Sequence, residues 1–340
     1  MENVVVAGAG FAGIQAALSL GRKEFNVELI DRDLKQVYTP GLIDLVRGRC
    51  SQKDLEIDTH SVFADSSVDL YEEEITDIRP EEKIVVGEQS HSYDYLILAL
   101  GGNPIRPEGF EDVILPYTLD EAVELRNVDG KIAVVGSGYT GIEYACELAE
   151  KGLEVTLYDQ LTRPLNRFPE NVSERSLEML YSKDIDFKGG KQIERIENGE
   201  VFYKEGSERF DQVVANLGVE PNRLIEESIG GIETNKGLSV IGYEDIFAVG
   251  DCNNLERKSA HESVIEAKKV VKNIQREAHE GIRPVKTGQS AVLVSMGSTG
   301  LYIREKTVIE ARVFRYAKDI VRKAYIMNLK RQGWMLRNLM

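Results

Sequence analysis

One pattern is written twice in this chain. Residues 3–31 run Asn-Val-Val-Val-Ala-Gly-Ala-Gly-Phe-Ala-Gly, then an apolar-periodic stretch, then Val-Glu-Leu-Ile-Asp. Residues 131–159 run Lys-Ile-Ala-Val-Val-Gly-Ser-Gly-Tyr-Thr-Gly, a second periodic stretch, then Val-Thr-Leu-Tyr-Asp. In both copies the closing aspartate lies 23 positions after the first glycine. Each copy predicts a buried strand, a glycine turn, a helix and a second parallel strand, which is the dinucleotide-binding βαβ unit. A chain holding two such units is predicted to be α/β and to bind two dinucleotides.

The glycines have separate tasks. Gly8 and Gly136 would make the tight turn, Gly10 and Gly138 would let the backbone approach a pyrophosphate, and Gly13 and Gly141 would let helix and strand pack closely. The pyrophosphate would rest on free amides at the helix N-terminus. Asp31 and Asp159 would each bind a ribose diol. A carboxylate at Asp159 would repel a 2′-phosphate, which favours NADH over NADPH, although Arg163 stands close behind it.

Further apolar runs end in glycine: Tyr95–Leu100 before Gly101, Val213–Leu217 before Gly218, and Ile246–Val249 before Gly250-Asp251. Residues 259–280 read as a helix, 292–303 as a strand pair, and 313–339 as one or two amphipathic helices interrupted near Gly333. The length of 340 residues is enough for about two domains. The net charge of −15 speaks against nucleic-acid binding. From Arg304 onward, however, ten Lys and Arg stand against three acids. No run reaches the ~20 apolar residues of a membrane span. No basic start leads into an apolar segment, so a signal peptide is not expected. Cys50, Cys146 and Cys252 are odd in number and widely spaced, with no zinc spacing; they fit a reducing compartment, and no metal is expected.

In this order the motifs resemble the flavoprotein reductases that carry two dinucleotide folds. The resemblance covers nearly the whole chain: Gly8–Gly13, then Tyr95–Gly101, then Gly136–Gly141, then Val213–Gly218, then Ile246–Asp251. It implies FAD in the first fold and NADH in a second fold inserted into it, followed by a short C-terminal β/α element. The implied boundaries are 1–103 and 221–284 for FAD, 104–220 for NADH, and 285–340 for the C-terminal element. FAD contacts are implied at Gly8, Gly10, Ala12, Gly13, Asp31, Arg32, Thr39, Pro40, Ala99, Gly101, Gly250 and Asp251, and at Lys258, Ser259 and Ala260. NADH contacts are implied at Gly136, Gly138, Tyr139, Thr140, Gly141, Asp159 and Gly218.

The cysteines narrow the resemblance. Disulfide reductases carry CxxxxC just after the first fold, whereas here residues 36–48 hold no cysteine. That segment is similar to the FxPLL…G stretch of type II NADH dehydrogenases and of apoptosis-inducing-factor-like NAD(P)H:quinone oxidoreductases. Gly138–Glu143 is similar to their GxTGxE, and Lys258-Ser-Ala-His-Glu resembles their flavin-side helix. Their paired glutamines are missing, since the matching positions are near Ile265 and Glu266. A sulfide:quinone oxidoreductase-like enzyme and a soluble reductase of a small electron-carrier protein therefore stay open beside an NADH dehydrogenase passing electrons to a membrane quinone. A non-catalytic flavin sensor is a third class.

Three residues are singled out for chemistry. The resemblance implies that Glu143 steers protons or quinone near the flavin; the alternative is that it only complements its helix dipole. Lys258 would stabilise negative charge on reduced flavin. His261 would relay a proton near neutral pH. In the tail, Phe314, Ala317, Ile320, Val321, Ala324 and Tyr325 form a stripe flanked by Arg315, Lys318, Arg322 and Lys323, followed by Lys330, Arg331, Trp334 and Arg337. Such a helix suits an anionic membrane interface, which implies a peripheral enzyme on the cytoplasmic face of the cell membrane. The alternative is that the stripe packs on the body or in a homodimer.

Overall fold

The computed structural model describes residues 1–21, 25–64, 66–222, 224, 232–256, 258–277, 284 and 291–338, with the backbone alone beyond residue 331. Two parallel sheets organise it. The first contains β1 (Glu2–Ala7), β2 (Phe25–Asp31), β3 (Val68–Glu72), β4 (Tyr95–Leu98) and a strand from much later in the chain, Ile246–Ala248. The order across this sheet is Ile246–Ala248, β4, β1, β2, β3, and all its pairs are parallel. The middle strand β1 reads Val4-Val5-Val6-Ala7 with every side chain fully buried. A strand covered on both faces needs such an unbroken apolar run, worth about 1.5–3 kcal/mol per large side chain.

The chain leaves this sheet through β5 (Gly102–Pro104) and builds a second one from β6 (Lys131–Val135), β7 (Glu154–Asp159), β8 (Asp186–Gly189) and β9 (Gln212–Ala215). Its order is β8, β7, β6, β9, again all parallel. The chain returns through β10 (Val219–Pro221), which pairs antiparallel with β5, and then adds the late strand, β11 (Ile246–Ala248), to the first sheet. The second fold is thus inserted in the first, as the motif order implies.

Four helices matter for the site. α1 (Phe11–Leu20) and α2 (Tyr139–Ala149) follow the two glycine turns, α3 (Glu170–Tyr181) covers the second sheet, and α4 (Ala260–Glu277) packs on α1. The C-terminal element is an antiparallel meander, β12 (Val292–Met296), β13 (Thr299–Arg304) and β14 (Thr307–Ala311), leading into α5 (Arg312–Asn338). The expected strand pair gains a third strand. α5 runs unbroken through Gly333, because one glycine in a helix interior costs only about 1 kcal/mol and does not end the helix.

Candidate active site

The two glycine turns repeat in their contacts as well as in sequence. Gly8 and Gly136 have φ of +107° and +101°. A Cβ on Gly8 would stand 2.3 Å from the Ala99 carbonyl, and one on Gly136 would stand 2.3 Å from the Asn216 carbonyl. A Cβ on Gly13 or Gly141 would fall within 1.8 Å of the carbonyl of the first glycine. The chain itself therefore requires these four glycines. Gly10 and Gly138 differ, because a Cβ there would meet nothing within 4 Å. They are also the N-caps of α1 and α2, and no side chain caps either helix. Open space over uncapped amides at the positive end of a helix is where a pyrophosphate binds.

The acids repeat too. Asp31 Oδ2 accepts from the Ala9 amide at 2.5 Å and Oδ1 from the Asp33 amide at 3.0 Å. Asp159 Oδ2 accepts from the Ser137 amide and hydroxyl, both at 2.6 Å, and Oδ1 from the Leu161 amide at 2.8 Å. Each carboxylate is held at the edge of its own glycine turn. Arg163 is engaged with Glu170, 3.1 Å away.

Around the first turn the structure gathers several of the expected FAD residues. Ala12 would lie 3.5 Å from a Cβ on Gly250, which has φ of +77°. Asp251 follows, and its Oδ1 is buried without a hydrogen-bond partner. Burial pushes its carboxyl above the usual range, with Lys258 opposing. Burial likewise lowers the Lys258 ammonium, with Asp251 opposing. Lys258 Nζ donates to the carbonyl and to Oδ1 of Asn253. The Ser259 hydroxyl accepts the Glu262 amide at 3.2 Å, capping α4 beside Ala260. Thr39 and Pro40 lie in a single 3-10 turn, Thr39–Gly41. Arg32 is exposed just beyond β2, and His261 is exposed on the first turn of α4.

The two folds meet at Tyr139, whose hydroxyl donates to the Lys258 carbonyl at 2.9 Å. Tyr117 donates to the carbonyl of Gly218 at 3.3 Å. Gly101 accepts from the Asn222 amide, and a Cβ on Gly102 would stand 2.6 Å from the Glu220 carbonyl. Of the expected FAD and NADH residues, Lys258 and Gly101 of the first fold and Tyr139 and Gly218 of the second thus meet at this junction.

Sequence reasoning missed three groups here. The Glu266 carboxylate lies beneath the Gly250–Asp251 turn and accepts from the Gly250 amide at 2.7 Å and from Asn253 Nδ2 at 2.8 Å. Burial pushes its carboxyl up to about 7. Lys318 pairs with Glu143, which also accepts the Ser295 amide at 2.7 Å. Burial raises the Glu143 carboxyl and Lys318 opposes it. Glu143 is therefore tied to the C-terminal element. Asn216, at the end of β9, has both side-chain polar atoms buried without a partner.

The three cysteines are free. Burial pushes the Cys50 and Cys252 thiols up to about 11 and the Cys146 thiol higher. Thiols held so far from ionisation make poor nucleophiles.

A family model described as "Pyridine nucleotide-disulphide oxidoreductase" matches residues 2–278. The chain belongs to that family. Among its relatives, the "Type II NADH:quinone oxidoreductase" of Staphylococcus saprophyticus is 26% identical over 300 residues, covering 74% of each chain. The sulfide:quinone oxidoreductase of Aquifex aeolicus superposes with a TM-score of 0.86 at 15% identity, covering 98% of this chain and 92% of its own. The structure of "NDH2 from plasmodium falciparum in complex with NADH" superposes with a TM-score of 0.84 at 14% identity, covering 99% and 97%. These two likenesses show the fold. The family name refers to a disulphide that this chain has no adjacent cysteine pair to form.

Proposed function

We propose that this chain is an FAD-dependent NADH:quinone oxidoreductase working at a membrane surface. The observation that carries the reading is the repeated turn: open glycine, uncapped helix and tethered acid, present in both folds and joined at Tyr139–Lys258. Its support outside the chain is the name of the curated relatives. Bound FAD supplies a two-electron acceptor that takes hydride from NADH and passes electrons to the quinone.

The protein's part is binding, orientation and charge. The open turn at Gly10 would hold the FAD pyrophosphate, with Asp31 on its ribose. The buried Oδ1 of Asp251 fits a hydroxyl of the same cofactor, since an unmet acceptor in that position otherwise costs about 1–3 kcal/mol. Lys258 would set a fixed cation where negative charge develops. The turn at Gly138 would hold NADH, with Asp159 on its adenosine ribose and Tyr139 closing the junction.

The membrane contact is assigned to α5. No described helix is long and apolar enough to cross a membrane. On α5, Val313, Tyr316, Ile320, Val321 and Met327 are exposed, and they follow one face. The expected stripe is redistributed. Phe314 stacks on Tyr302 at 5.7 Å, Tyr325 packs on Phe11 and Tyr38, and Leu329 is buried. Two of the four expected flanking cations also turn inward: Lys318 pairs with the buried Glu143, and Arg322 is buried and pairs with Asp319 one turn before it. Lys323, Lys330 and Arg331 remain exposed beside the apolar face. Trp334 and Arg337 lie where α5 is described by its backbone alone, so their side chains are not placed.

The test is an anaerobic stopped-flow mix of the FAD-loaded protein with NADH, followed by a short-chain quinone. Rapid bleaching of the flavin band by NADH, then rapid return on adding quinone, is expected. No bleaching by NADH would remove the donor half of the reading. Bleaching without return on quinone, but with return on a small redox protein, would remove the acceptor half.

A further inference from the structure

The two folds differ at one matched position. Ala99 ends the sequence Leu98-Ala99-Leu100-Gly101, and Asn216 occupies the same place in Ala215-Asn216-Leu217-Gly218. The match is structural as well. Ala99 is the residue whose carbonyl fits under Gly8 and whose Cβ would stand 3.4 Å from a Cβ on Gly13. Asn216 has its carbonyl under Gly136 and its Cβ 3.6 Å from a Cβ on Gly141. In the first fold a methyl group satisfies this place. In the second it holds a carboxamide, 8% exposed, whose Nδ2 and Oδ1 both lack a partner. Buried amides without partners are rare and destabilising, so packing does not explain this one.

The direction of the cleft identifies what meets it. Strand order places β7, with Asp159, on one side of β6, and β9, with Asn216, on the other. A dinucleotide lies across the carboxyl ends of such a sheet, with its pyrophosphate at the turn after the central strand. The half of NADH whose ribose meets Asp159 is the adenosine half, so the nicotinamide half falls on the Asn216 side. The nicotinamide carries a carboxamide with one carbonyl and two N–H donors. The Asn216 side chain offers the complementary pair.

We propose that Asn216 is a binding and specificity residue for NADH that pairs through its carboxamide with the carboxamide of the nicotinamide. This rests on the reading of the second fold as the NADH site. The pairing would orient the ring as well as add affinity.

The test is calorimetric titration of the oxidised, FAD-loaded protein with NAD+ and with ADP-ribose, which lacks the nicotinamide. Asn216→Ala places in the second fold the residue the first fold already uses, so it is expected to fold and to keep its flavin. Its thermal midpoint without nucleotide is expected to hold or rise, because a buried unpaired amide is gone. NAD+ affinity is expected to fall by about tenfold or more, the size of one or two lost hydrogen bonds, with ADP-ribose affinity unchanged. Equal losses for both ligands, or no loss for either, overturn the proposal. Failure of the unaltered protein to bind NAD+ at all overturns both it and the reading it rests on.

Discussion

The Arg49 guanidinium donates two bonds to the Glu147 carboxylate, at 2.7 and 2.8 Å, joining the first fold to the helix that opens the second. Glu147 is fully buried, forms an ion pair with Arg47, whose Nε lies 3.1 Å away, and accepts from the Ser295 hydroxyl at 3.0 Å. One carboxylate on α2 therefore ties together the segment after Leu42–Val46, the second fold and the C-terminal meander. Its neighbours on the same face extend the seam. Glu143 holds Ser295 and Lys318, and Glu150 holds Lys183 and the Ser298 amide. Hydride transfer between two separately built folds needs a fixed relative orientation, and this row of acids supplies one.

Removing Glu147 leaves two arginines, each about one-fifth exposed, facing a buried gap. Breaking a buried pair from one side costs about 3–5 kcal/mol, and partial exposure of the arginines puts this case near the lower figure. Glu147→Ala is expected to lower the urea midpoint markedly, and Glu147→Gln less, since the amide oxygen still accepts. Midpoints for both variants within error of the unaltered protein would show that the seam does not bear on stability.

The glycine turns predict a graded series. Gly13→Ala would place a Cβ 1.7 Å from the Gly8 carbonyl, and backbone cannot give way so far. That variant is expected to misfold. Gly10→Ala meets no atom of the chain, so it should fold and lose FAD, read as a lower flavin-to-protein absorbance ratio. Gly138→Ala should fold and keep FAD, but bleach slowly with NADH. If Gly10→Ala retained full flavin, the first turn would not be the pyrophosphate site.

The contrast between these glycines was legible in the sequence, because spacing assigns a steric task to each. The two sheets were legible for the same reason, since buried parallel strands must be continuous apolar runs. The pairing of Glu143 with Lys318 was not, because 175 residues separate them and no local pattern encodes the contact. The tail shows the limit most clearly. Helical periodicity gave the helix, but which face turns inward is fixed by Glu143, Tyr38 and Phe11, all on other elements. Asn216 had a readable signal, found by laying the second copy of the repeat over the first.

Glu266 gives a pH prediction. Burial raises its carboxyl to about 7 against 4.5 for an ordinary glutamate, opposed by the Gly250 and Asn253 bonds. Between those values the folded protein binds more protons than the unfolded chain, so stability falls as pH rises from about 4.5 to about 7. At about 1.4 kcal/mol per pH unit the full cost is about 3 kcal/mol, present above pH 7. Glu266→Gln keeps an acceptor for the Gly250 amide and does not ionise. Its thermal midpoint is expected to stay flatter over this window and to exceed that of the unaltered protein at pH 8. Parallel curves for the two proteins would remove Glu266 as the source.

The exposed face of α5 gives the last prediction. Ile320 and Met327 are 63% and 69% exposed and lie seven residues apart, hence on one side of the helix. Neither touches the inward contacts made by Phe314, Lys318 and Tyr325. Ile320→Glu with Met327→Glu should therefore leave folding, flavin content and bleaching by NADH unchanged. It adds two negative charges where an anionic bilayer would lie, each opposed by desolvation and surface potential. Co-sedimentation with anionic vesicles is expected for the unaltered protein and lost in the variant, and turnover of a long-chain quinone in those vesicles should fall with it. If sedimentation velocity instead shows a dimer that the variant breaks, with no vesicle binding in either protein, the face is a subunit interface and the membrane assignment fails.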